Sequence, residues 1–117
     1  VVAYPKDKED VKNLVKWVSV NSTRQDLVHK YGHLSITARC AGTDMSGGAI
    51  GESIILDFTR HMNRLLGGPL PLHNKSNWEI TVEPGMFYRD FEKITLGKGL
   101  ILPCYTASKS LNAMGGM

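Results

Sequence analysis

The chain has 117 residues, of which 42% are apolar and 21% charged, the profile of one ordinary globular domain and not of a disordered or collagen-like chain. Fourteen Lys and Arg against eleven Asp and Glu give a formal charge of +3; the basic residues are scattered, which suits an anionic ligand but gives no nucleic-acid footprint. No apolar run approaches the ~18 residues that a membrane span requires.

Along the chain, the opening "VVAYPKDKED" has neither an initiator Met nor the charged-then-apolar layout of a signal peptide. The first predicted element is a helix. Asp7 can cap it, Asp10 lies three residues on, and Val11, Leu14, Val15 and Val18 recur at helical spacing. Lys8, Lys12 and Lys16 read as its solvated face. "DLVHKYG" reads as a second short helix closed by Gly32. His29 and His33 stand four apart, but Gly32 intervenes and no third ligand is near, so no metal site is expected. In "LSITARC" the alternation of Leu34, Ile36 and Ala38 against Ser35, Thr37 and Arg39 predicts a half-buried strand. "SIILDF" is a continuous apolar run ending at Asp57, a buried central strand.

"RHMNRLL" is ambiguous, and "GGPLPLHNKSN" reads as a turn or loop region from its Gly and Pro content. "WEITVEPG" alternates again, with Trp78, Ile80 and Val82 on one face and Pro84-Gly85 as terminator. Phe87, Phe91 and Ile94 recur at helical spacing in "FYRDFEKITLGKG", which Gly97 or Gly99 would close. "LILP" reads as a short buried strand stopped by Pro103. Trp17, Trp78, Phe87 and Phe91 read as core. The fold class that follows is α+β or α/β. Cys40 and Cys104 are too few for a disulfide framework and show no zinc spacing, which fits reduced thiols in a cytoplasmic protein; the apolar neighbours of Cys104 favour a buried, inert sulfur. The sequons at Asn21 and Asn74 carry no meaning without secretion. The glycine-rich end "NAMGGM" has no polar tail, so both ends read as cut from something longer.

The stretch "RCAGTDMSGG", residues 39 to 48, stands apart. Gly42, Gly47 and Gly48 permit positive φ and close approach. Successive amides turned inward would form a concave donor surface for phosphate oxygens, to which Thr43 and Ser46 could add hydroxyls. The loop is neither a P-loop, since the lysine is missing, nor a GxGxxG turn. Arg39 reads as the polar face of its strand, in a surface salt bridge.

Four segments in series, "YPKDKEDVKNLVKW", "ITARCAGTDMSGGAI", "SIILDFTRHMNRLL" and "WEITVEPGMFYRDFEKITLGKGLILPCYTASKSLNAMGGM", cover nearly the whole chain. The series closely resembles the flavin-binding domain of the FAD-linked oxidases of the vanillyl-alcohol oxidase type, which include glycolate and D-lactate dehydrogenases. The resemblance implies a domain in two parts with FAD between them: a small α/β subdomain at residues 1–59, and the start of a second subdomain, built on an antiparallel sheet and incomplete, at 60–117.

It also implies residues. The family's Arg-Gly-Gly-Gly-Thr-type loop wraps the pyrophosphate with backbone amides, and Cys40, Ala41, Gly42, Thr43 and Asp44 match it. A later stretch passes the ribityl chain and the flavin ring, with Pro103, Thr106, Ser108, Gly115 and Gly116 as matches. Glu83-Pro84-Gly85 matches a structural corner. Cys40 and Ala41 replace usual glycines, and Thr43 stands where some relatives carry a flavin-linking histidine, so the implied FAD is non-covalent. The implied activity is oxidation of a small organic substrate, with a 2-hydroxy acid among the candidates. The substrate would be met through a cap domain absent from this stretch, so the stretch alone is expected to be inactive, and no catalytic residue can be named in it. A reductase of the type acting on UDP-N-acetylenolpyruvoylglucosamine, and a non-catalytic nucleotide- or anion-binding module, are the alternatives. Exposed strand edges also leave self-association open.

Overall fold

The computed structural model describes residues 1–71 and 77–117. The order of elements is β1 (Val2–Ala3), α1 (Lys8–Asn21), α2 (Gln25–Tyr31), β2 (Ile36–Arg39), β3 (Ile54–Asp57), β4 (Leu65–Pro71), β5 (Trp78–Val82) and α3 (Tyr88–Leu96), with a final 3-10 turn at Met114–Gly116. This is a mixed α/β architecture with one parallel and one antiparallel sheet.

The parallel sheet has the strand order β1-β3-β2. β3 is central, which explains why "SIILDF" shows no alternation: Val2–Ala3 pairs on one side of it and Ile36–Arg39 on the other. β1 has only two residues, too short for any period to reveal it. Asp7 caps α1 as expected, its Oδ1 accepting from the Glu9 and Asp10 amides at 2.8 and 3.0 Å. α2 ends at Gly32, where φ is 76°. The two helices form the crossover from β1 towards β2. By contrast, β2 and β3 are adjacent and parallel but are joined by residues 40–53, which contain no helix. A parallel crossover is usually an α-helix that satisfies its own backbone. This one is not.

The antiparallel pair corrects the loop expected over "GGPLPLHNKSN". Leu65–Pro71 is a strand paired with β5, with register shifts on both sides of Gly67. Among the described residues β4 has a partner on one edge only, so Pro69 and Pro71 can stand where no ladder donor is needed. The rest of that segment, residues 72–76, including the sequon at Asn74, lies outside the described residues. Behind this pair, Met86, Tyr88 and Phe91 form the buried cluster, packed by Ile80, Val82, Ile94, Leu102 and Met114. "LILP" is not a strand: Leu102 packs on the cluster from irregular chain, while Ile101 is exposed. Trp17 and Trp78 are also exposed and Phe87 only half-buried, so of the four aromatics expected in the core only Phe91 is there. Cys104 is exposed, not buried.

Glu83, just after β5, ties that strand to Arg64, just before β4. Its side chain is 7% exposed. It accepts from the Arg64 amide (2.8 Å), Arg64 Nε (3.1 Å) and Arg64 Nη2 (2.8 Å). The Arg64 guanidinium is the chief reason its carboxyl titrates below the usual Glu range. The radius of gyration, 17.3 Å, exceeds the ~13 Å of a compact globule of this length. The chain extends over 56 Å.

Candidate functional site

The loop after β2 starts at the carboxyl ends of two parallel strands, Arg39 of β2 and Asp57 of β3. Open α/β sheets place their ligand crevices there. Two clefts flank it. One, of about 520 Å³, is lined by Arg39, Gly42, Asp44, Pro84, Asn112 and Gly115, among others. The other, of about 600 Å³, includes Ala41, Asp57, Phe87 and Ser108. Cys40 and Thr43 line both.

The loop divides into two halves. In the second, the Asp44 carboxylate accepts from the Ser46 amide (3.0 Å), the Gly48 amide (2.7 Å) and the Ser46 hydroxyl (2.9 Å). The Ser46 bonds are the first reason that its pKa lies below the usual Asp range, with the Gly48 amide next. These amides, and the Ser46 hydroxyl expected to face an anion, are therefore engaged within the chain. Among the described residues the amides of Ala41, Gly42, Thr43 and Asp44 have no protein acceptor. The concave donor surface is thus shorter than residues 40 to 48, and it centres on Gly42, whose φ of 70° lies in the left-handed region that favours glycine.

Arg39 is not in the surface salt bridge expected of it: none of the ion pairs of the described residues includes it. Its guanidinium lies directly against Gly42, where a Cβ would collide with it, and it lines both clefts. A cation thus sits beside unengaged amides.

The floor comes from the far end of the chain. Gly115 donates its amide to Pro84 O at 2.8 Å. A Cβ on Gly115 would come within 2.7 Å of Pro84 Cβ and 2.8 Å of Cys40 Sγ, so the loop and the Met114–Gly116 turn meet in close contact. The Cys40 sulfur packs towards that turn and leaves the cleft in front of the loop open. Burial, then the nearby Asp57, holds its thiol pKa above the ordinary value. Of the matched residues, Cys40, Ala41, Gly42, Thr43, Asp44, Ser108, Gly115 and Gly116 line one or both clefts. Thr106 joins them through Asn112 Nδ2, at 3.2 Å. Pro103 is not brought there; it lines a third groove beside Trp78 and Leu100. Asn112 is the residue that sequence reasoning missed, because nothing in "SLNAMGG" shows that an Asn will be 1% exposed.

The family model for the FAD binding domain matches residues 1–117, the whole chain. The chain belongs to the FAD-binding domain family of the FAD-linked oxidases. It is similar to the D-2-hydroxyglutarate dehydrogenases of Haemophilus influenzae, at 25% identity, and of Escherichia coli, at 24%. Both alignments cover 99% of this chain but 10% of the relative. No solved structure matches. Among the described residues no helix is long and apolar enough to cross a membrane. The geometry fits the anionic part of FAD: among the described residues the amides at Ala41–Asp44 are unengaged, and the Arg39 guanidinium beside them is in no ion pair.

Proposed function

We propose that this chain binds FAD non-covalently as part of an FAD-dependent dehydrogenase that oxidises a 2-hydroxy acid. The observation that carries this reading is the set of unengaged amides at Ala41–Asp44 beside Arg39, at the carboxyl ends of β2 and β3, within a chain that belongs throughout to the FAD-binding family. The backbone donates to the diphosphate, Arg39 supplies the opposing charge, and Gly115 lets the terminal turn close on Cys40 and Pro84 behind the loop. FAD, when bound, accepts the electron pair of the oxidation. The substrate class is drawn from the two relatives, both named for a 2-hydroxy acid. Residues 1–59 and 60–117 act as the two parts of the flavin domain, and substrate contacts come from chain beyond it. Two free thiols support a cytoplasmic location.

The test is to isolate the intact protein, denature it in acid and look for flavin in the supernatant. Flavin there is expected; flavin retained on the precipitated chain overturns non-covalent binding, and none anywhere overturns the cofactor. Arg39→Gln should raise the Kd for FAD by about tenfold and flatten its salt dependence.

A further inference from the structure

Asn112 is 1% exposed and lies on the wall of the first cleft. Its Oδ1 accepts from the Ala113 amide at 2.9 Å. An N–H can face only an oxygen, so this bond fixes which end of the side-chain amide is which. Nδ2 then donates to Thr106 Oγ1 at 3.2 Å, and the same Oδ1 receives Thr43 Oγ1 at 3.0 Å. Oδ1 carries no hydrogen, so the hydrogen in that contact belongs to Thr43. The Thr43 hydroxyl, expected from the sequence to donate to an anion, turns only lone pairs to the cleft while this bond stands.

We infer that Asn112 is a positioning residue that latches the cofactor loop to the Met114–Gly116 turn through Thr43, and that Thr43 holds the loop without donating to the ligand. The bond joins residues 69 apart in sequence. It spans the same gap as the contact of Cys40 Sγ with Gly115, so losing it should open that gap and expose the half-buried thiol further. Only the consequence for FAD rests on the proposed function; the latch itself does not.

The test measures alkylation of Cys40 in the flavin-free intact protein, with the exposed Cys104 as internal standard, alongside FAD titration. Removing one such bond should raise Cys40 labelling about fivefold in Thr43→Val, with Thr43→Ser at the wild-type rate. The Kd for FAD should rise by a similar factor. Asn112→Ala, which also frees the Ala113 amide and Thr106, should do at least as much, and the double variant should go no further than Asn112→Ala alone. Because Asn112 is buried, its variant could misfold; Thr43→Val, at a half-buried loop position, then decides alone. Cys40 labelling within twofold of wild type in Thr43→Val overturns the latch, as does weakened FAD binding without any change in labelling, which would make Thr43 a direct donor. A wild type that takes up no FAD, with Thr43→Val still raising Cys40 labelling, supports the latch and removes the flavin reading.

Discussion

Glu83→Gln tests how the floor of the cleft is held. Glu83 precedes Pro84, whose carbonyl fixes the Gly115 amide, and three donors converge on its carboxylate. Gln keeps the shape and one acceptor. If its oxygen takes the Oε2 position, it retains the Arg64 amide and Nε, but its NH2 then faces Nη2 across the former 2.8 Å contact, donor against donor. If it is flipped, the Arg64 amide loses its acceptor. The Arg64 side chain is 64% exposed, so water compensates much of the guanidinium arm, and the cost concentrates on the backbone amide and the lost charge. Together these should destabilise the protein by about 1–3 kcal/mol at neutral pH. The sign with pH follows from the depressed Glu83 pKa. The folded state holds this carboxylate ionised to lower pH than the unfolded state does, so its stabilisation is complete above the unfolded pKa, near 4.5, and fades as pH falls through the lower folded value. Urea denaturation of wild type and variant at neutral pH and again well below pH 4.5 reads both effects. A gap under 0.5 kcal/mol at neutral pH, or one that widens on acidification, would refute the reasoning.

Gly42→Ala should weaken FAD binding about fivefold or more, since a Cβ at φ 70° costs on the order of 1 kcal/mol and also displaces the Arg39 guanidinium; isothermal titration measures it, and unchanged affinity would mean that the loop is not the contact. In the unmodified protein, iodoacetamide should label Cys104 well before Cys40, because Cys104 is exposed and burial keeps the Cys40 thiol protonated; FAD loading should slow Cys40 further, and mass spectrometry of the two peptides during alkylation shows the order.

Local chemistry wrote much of this domain into its sequence. The Asp7 cap, the Gly32 stop and the unbroken apolar run of β3 were legible because each depends on neighbours within a few residues. So was the bare loop, since Gly, Ala, Ser and Thr leave little but backbone to offer. What partners in other elements decide was not legible. Leu65–Pro71 looks like a loop until β5 pairs with it, and two residues become β1 only when β3 lies alongside. Within the site even near neighbours needed the folded geometry. Composition could suggest that residues 40 to 48 donate amides, but only the folded chain shows Asp44 taking those of Ser46 and Gly48, Arg39 lying on Gly42, and Asn112 claiming the Thr43 hydroxyl across 69 residues. Hydrogen-bond direction and the partner of a buried polar group are properties of contact, and contact between distant segments exists only after folding.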